Sequence, residues 1–181
     1  MKKTILLVIV VLANSVSAQV NSVIGKFFFD LPYHATKFDI RAKIQGNTNF
    51  YDLSEYETSI GANFKYHPNI SNLPSQHRAP YLQISFDDKG LSDTKRMTID
   101  YDASEVNACF AMYDEIIKLF KPYTKKTAPS AKKDLDKTGK GIQIFPIAGA
   151  KFYMIDLVCE YHESAKRYEL TVLMFENNWW K

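Results

Sequence analysis

The chain has 181 residues, 23 basic against 20 acidic, and is 46% hydrophobic and 14% aromatic, with 7 Gly, 7 Pro and 2 Cys. That balance excludes collagen-like, low-complexity and disordered classes, which need repeats or far fewer apolar residues. Two cysteines cannot build a disulfide-dense mini-scaffold or a Cys-rich zinc site.

The first segment reads as an address. Met1-Lys2-Lys3 is a short positive region, Ile5 to Ala13 is an unbroken apolar run, and Val16-Ser17-Ala18 fits a signal-peptidase site. Nine apolar residues fall well short of the roughly 20 that span a hydrocarbon core, so the pattern predicts a cleaved secretory signal over 1–18 rather than a transmembrane anchor. The mature chain, 19–181, then reads as one globular domain, periplasmic or extracellular. Without Lys2 and Lys3 the charge falls from +3 to +1, and a nucleic-acid partner loses its electrostatic support.

Ile24 to Phe29 reads as a first strand. Over 36–45 two signals compete. Phe38, Ile40, Ala42 and Ile44 alternate with polar residues at strand period, yet Thr36 with Asp39 resembles a helix cap and Gly46 a helix stop. The caps favour a short helix. Thr58 to Tyr66 reads as a strand, and His67 to Pro80, with three prolines, as a loop. Tyr81–Phe86 and Lys95–Tyr101 predict a hairpin about the turn Asp87-Asp88-Lys89-Gly90.

Asp102 and Glu105 form a capping box, and Val106, Phe110, Tyr113, Ile117 and Phe120 a helical stripe ending near Pro122. Lys121 to Gly141, with seven Lys and two Asp, reads as a solvated loop. Ile142–Phe145 predicts a short strand. Ala150–Tyr161 and Lys166–Glu176 predict a hairpin about His162-Glu163-Ser164-Ala165. The expected class is α+β: an antiparallel sheet of about six to seven strands, a long helix over 103–121 packed on one face, and a short helix over 36–45.

Cys109 lies on the apolar side of the long helix and Cys159 on the apolar face of the last hairpin. In an oxidising compartment the two are expected to form a disulfide pinning helix to sheet, rather than remain as two buried thiols.

Motifs for chemistry are sparse. His34, His67, His77 and His162 show no metal-ligand spacing. His67 and His77 bracket the Pro-rich loop and are weak ligand-binding candidates, with solvated loop residues the blander reading. Asp100, Asp102 and Glu105 resemble an oxygen-rich cation cluster, but the last two serve the helix cap and no calcium-loop pattern surrounds them. Asp136 to Gly141 lacks the order of a phosphate loop and reads as a turn, and Glu55, Glu57, Asp87 and Asp88 read as surface charge. There is no G-x-S-x-G elbow.

The 12 Phe, 11 Tyr and 2 Trp all fall after residue 18 and are expected mainly in the core, Phe27, Phe28, Phe110 and Phe120 above all. Trp179 and Trp180 either dock back onto the domain or present an apolar patch to a partner. No catalytic residue, metal or cofactor is assigned. The favoured reading is an exported, non-catalytic binding or accessory protein of the bacterial cell envelope, its partner an envelope protein or glycan. The alternative is a small secreted hydrolase acting on envelope or nutrient polymers.

Overall fold

Strand-period alternation governs most of the chain, and a sheet buried on one face is its result. In the computed structural model, residues 25–48, 50–51, 61–66, 81–130, 139–146 and 152–176 are described. They include two helices of two turns or more, α1 (Lys37–Gln45) and α2 (Val106–Phe120), and eight strands. The strands are β1 (Phe50–Tyr51), β2 (Gly61–Tyr66), β3 (Tyr81–Phe86), β4 (Ser92–Asp102), β5 (Thr124–Pro129), β6 (Lys140–Pro146), β7 (Phe152–His162) and β8 (Arg167–Glu176). All pair antiparallel in one sheet of order β1-β2-β3-β4-β8-β7-β6-β5. The topology is helix then four-strand meander, twice, with the last strands of the two meanders meeting at the centre.

The α+β class holds, with a long helix on one face and a short second helix. At 36–45 the helix wins: the Thr36 hydroxyl accepts from the Asp39 backbone N–H, and Asp39 accepts from the Thr36 N–H in return. Alternation here was misleading, because Ile40 and Ile44 already suffice as one buried helical face, while Phe38 is 79% exposed. The strand expected at Ile24–Phe29 is not formed over its described part. Residues 25–27 are helical and 28–30 a turn, with the Gly25 carbonyl accepting from the Phe28 and Asp30 amides. Three consecutive Phe cannot all reach one core by alternating. The turn, with Phe29 at φ 58° and Asp30 at φ 54°, lets Phe28 bury while Phe27 and Phe29 pack beside it.

The stretch expected as a basic loop contains β5. It is an edge strand with mostly exposed side chains, so its apolar content is low, and its Lys and Pro residues blunt an open edge. The Lys126 ammonium lies 4.8 Å from the Phe145 ring centroid on β6. Both predicted hairpins form. In the β3–β4 turn one Asp87 carboxylate oxygen accepts from the Lys89 and Leu91 amides at 2.9 and 2.8 Å, and Gly90 takes φ 74°.

The helix face of the sheet carries Leu82, Ile84, Met97, Ile99, Tyr101, Ile144, Ile155, Leu157, Leu170, Val172 and Met174, all buried in one core. Helix α2 enters through the expected Asp102–Glu105 capping box, by way of a 3-10 turn at Ala103–Glu105, and leaves through another at Lys121–Tyr123 containing Pro122. Its buried stripe is Cys109, Met112, Tyr113, Ile116 and Phe120, so Val106, Phe110 and Ile117 flank the contact rather than centre it. Of the rings expected in the core, Phe28 and Phe120 are buried, and Phe27 and Phe110 pack against it. No helix among the described residues is long and apolar enough to cross a membrane.

A buried lysine secures the segment before α1. Lys95 of β4 is 1% exposed; its ammonium donates to the Leu31 carbonyl and lies 3.5 Å from the Tyr33 ring centroid. A carbonyl and an aromatic face offset much of the cost of removing that charge from water. Beside it Ser92 accepts from the Ala35 amide through its hydroxyl and donates to the Ala35 carbonyl through its own amide.

Cys109 and Cys159 are disulfide-bonded, 50 residues apart in sequence, and both fully buried. The bridge joins α2 to β7 as expected. Closing a loop of that size stabilises by about 4 kcal/mol in the chain-entropy estimate. The Cys109→Ala/Cys159→Ala double variant is expected to lose about that much in urea denaturation; an unchanged midpoint would remove the bridge from the account of stability.

Two tyrosines set an alkaline limit. Burial, then Asp114 and Asp156, pushes the Tyr113 hydroxyl up to about 12, and burial with Glu105 raises Tyr101 as well. The unfolded phenols ionise near 10 while the folded ones keep their protons. Their contribution is therefore complete below pH 10; that of Tyr113 is lost as pH rises through 12, and that of Tyr101 only at higher pH. Urea midpoints are expected to fall between pH 9 and 11, and to fall less in Tyr113→Phe.

Candidate functional site

Side chains pointing away from the helices are placed by the register that buries the others. In β7 these are Met154, Asp156, Val158, Glu160 and His162; in β8 they are Arg167, Glu169, Thr171, Leu173 and Phe175. Cross-strand pairing puts Asp100 of β4 beside Glu169, Glu169 beside Glu160, and His162 beside Arg167. Three carboxylates thus lie in one row across three strands, next to an imidazole and a guanidinium.

Arg167 is the counter-charge within the row. Its Nε lies 3.1 Å from Asp100 Oδ1 and its Nη2 3.9 Å from Glu169 Oε2. The other oxygen of Glu169, Oε1, accepts from the Thr171 hydroxyl at 3.0 Å. His162 Nε2 sits 3.2 Å from Glu160 Oε1 and 3.9 Å from Glu169 Oε1. That nitrogen is shielded from solvent and makes no hydrogen bond. Side-chain exposure is 36% for His162, 15% for Glu160 and 17% for Glu169, so the group is half-buried but reachable. One ligand atom from each of these three residues falls within 4.8 Å of the others. Such a group can hold a proton between carboxylates or a cation.

Across the rest of this face the chemistry changes. Beyond Thr98 and Thr171 the paired positions become Arg96 with Leu173 and Asp156, then Thr94 with Phe175 and Met154. Leu173, Phe175 and Met154 are half-exposed. Val158 is buried on this face yet stands outside the helix-side core.

The sequence-predicted candidates fare unevenly. His67, His77, Trp179 and Trp180 lie outside the described residues, as do Glu55, Glu57 and Asp136. The apparent trio Asp100, Asp102 and Glu105 divides: the last two cap α2, and Asp100 pairs with Arg167. Asp87 holds the β3–β4 turn. Sequence reasoning left Glu160, His162, Arg167 and Glu169 unassigned, treating His162 as a turn residue. Writing out the hairpin register about residues 163–166 would have set Glu160 opposite Glu169 and His162 opposite Arg167. No protein-family model, curated protein or solved structure matches the chain.

Removing Arg167 takes away the guanidinium that faces both Asp100 and Glu169. Arg167→Met, which keeps most of the stem, is expected to cost about 2 kcal/mol at pH 7, between the exposed and buried ion-pair ranges. Urea denaturation of the two proteins at pH 7 reads the loss directly, and an unchanged midpoint would remove the ion pair from the account of stability.

Proposed function

We propose that this is an exported binding or accessory protein of the bacterial cell envelope, acting without catalysis on an envelope protein or glycan. The reading is carried by the outward face of the sheet, which combines half-exposed Met154, Leu173 and Phe175 with the charged row at its other end. Apolar contact area beside fixed charges is what a recognition surface requires. Export is supported by the tripartite pattern of residues 1–18 and by a disulfide suited to an oxidising compartment. A mature charge near neutral favours protein or sugar over nucleic acid. The hydrolase alternative looked to His67 and His77, which lie outside the described residues.

A C-terminally tagged chain expressed in a bacterium is expected in the periplasmic fraction, cut before Gln19. There it should retain an envelope component that the Leu173→Thr/Phe175→Thr variant loses at least tenfold. Those substitutions keep strand propensity while deleting the apolar contact. An uncut cytosolic chain overturns the export, and a wild type that retains nothing above background overturns the binding.

A further inference from the structure

We propose that Glu160, His162 and Glu169 form a binding site for a divalent transition-metal ion of the zinc class. The inference stands on the cluster's own geometry and does not require the export or binding reading above.

The first support is the donor set. One imidazole nitrogen with two carboxylate oxygens suits zinc and its neighbours in the first transition row. Tetrahedral zinc with bonds of about 2.0–2.2 Å holds its ligand atoms roughly 3.4 Å apart. His162 Nε2 lies 3.2 Å from Glu160 Oε1 and 3.9 Å from Glu169 Oε1, on either side of that spacing. The third separation, between the two carboxylate oxygens, is within 4.8 Å.

The second support is charge. Like charges directly opposite on paired strands are destabilising, and Glu160 faces Glu169, which faces Asp100. Arg167 answers Asp100 and the far oxygen of Glu169. Glu160 and Glu169 thus stand opposite each other at the point that His162 reaches.

The third is the imidazole itself. His162 Nε2 is shielded from solvent, without a hydrogen bond, and directed between two carboxylates. Finally, Glu169 is held from both sides, by Thr171 on Oε1 and Arg167 on Oε2, as outer partners commonly orient a ligating carboxylate. Three protein ligands leave a fourth position open to solvent or to a ligand.

The test is titration of the metal-free protein with Zn²⁺ by calorimetry, and with Co²⁺ by visible absorption. Both are run on wild type, His162→Gln and Glu160→Gln. Half-exposed positions near a hairpin end tolerate these near-isosteric changes, and intact circular dichroism verifies each fold. Wild type is expected to bind zinc with micromolar affinity and to give a Co²⁺ spectrum of nitrogen and oxygen ligation. Each variant should weaken zinc at least tenfold and lose that spectrum. Absence of binding at millimolar zinc overturns the proposal. Binding that both variants retain also overturns it, by placing the metal elsewhere on the chain.

Discussion

The pairing of β4 with β8 is the constraint on which the molecule depends. Each half of the described chain is a helix followed by a four-strand meander, and each meander could form from local hairpins. Only the central ladder, from Thr94–Phe175 to Asp102–Arg167, makes them one sheet. Its partners lie far apart in sequence, so the entropy of closing that loop must be met before the ladder forms. Helix α2 helps meet it. The helix follows β4 directly through the Asp102 cap, lies over β4, β7 and β8, and is bonded to β7 through Cys109 and Cys159. The bridge lies within the second half, but because α2 begins just after β4 it shortens the loop that the β4–β8 ladder must close.

A sheet buried on one side has little freedom of register, because a slip of one residue turns every core side chain outward. The helix-side rows of Met97, Ile99 and Tyr101 against Leu170, Val172 and Met174 therefore fix the outward rows as firmly as they fix themselves. Asp100, Glu169 and Glu160 are held in line by hydrophobic residues on the opposite surface. The unfavourable contact among the three carboxylates is offset by that packing and by Arg167.

The legibility of the sequence follows from the range of each interaction. Capping boxes at Thr36 and Asp102, the Asp87 turn and both hairpins depend on residues within a few positions of one another, and each was readable. The disulfide was readable because period 3.6 in α2 and period 2 in β7 independently pointed Cys109 and Cys159 into one layer. Strand β5 was hidden because an edge needs few apolar residues, and lysines that protect an edge resemble those of a solvated loop. The helical turn at 25–27 was hidden because three adjacent Phe satisfy a strand pattern as well as a packed turn. The charged row was hidden for a different reason. Half of it follows from one hairpin register, but Asp100 joins only through the β4–β8 ladder, which no local pattern announces.

The depth of the row decides what it can do. Carboxylates fully exposed on a surface are screened by salt and hold a cation weakly. Fully buried, three of them against one guanidinium would carry a desolvation cost of several kcal/mol per charge and would take up protons instead. Glu160 and Glu169 lie between these limits, sheltered enough for their repulsion to be felt and open enough, through His162, for an ion to reach them. The turn at 163–166 produces this depth by ending the sheet two residues beyond the glutamates, so that solvent meets the row at its rim. Shifting the same residues two positions towards the centre, to the level of Thr98 and Val158, would close them off behind the neighbouring strands. The end of the hairpin is thus the level on this face where opposed carboxylates are sheltered yet remain accessible to a counter-ion.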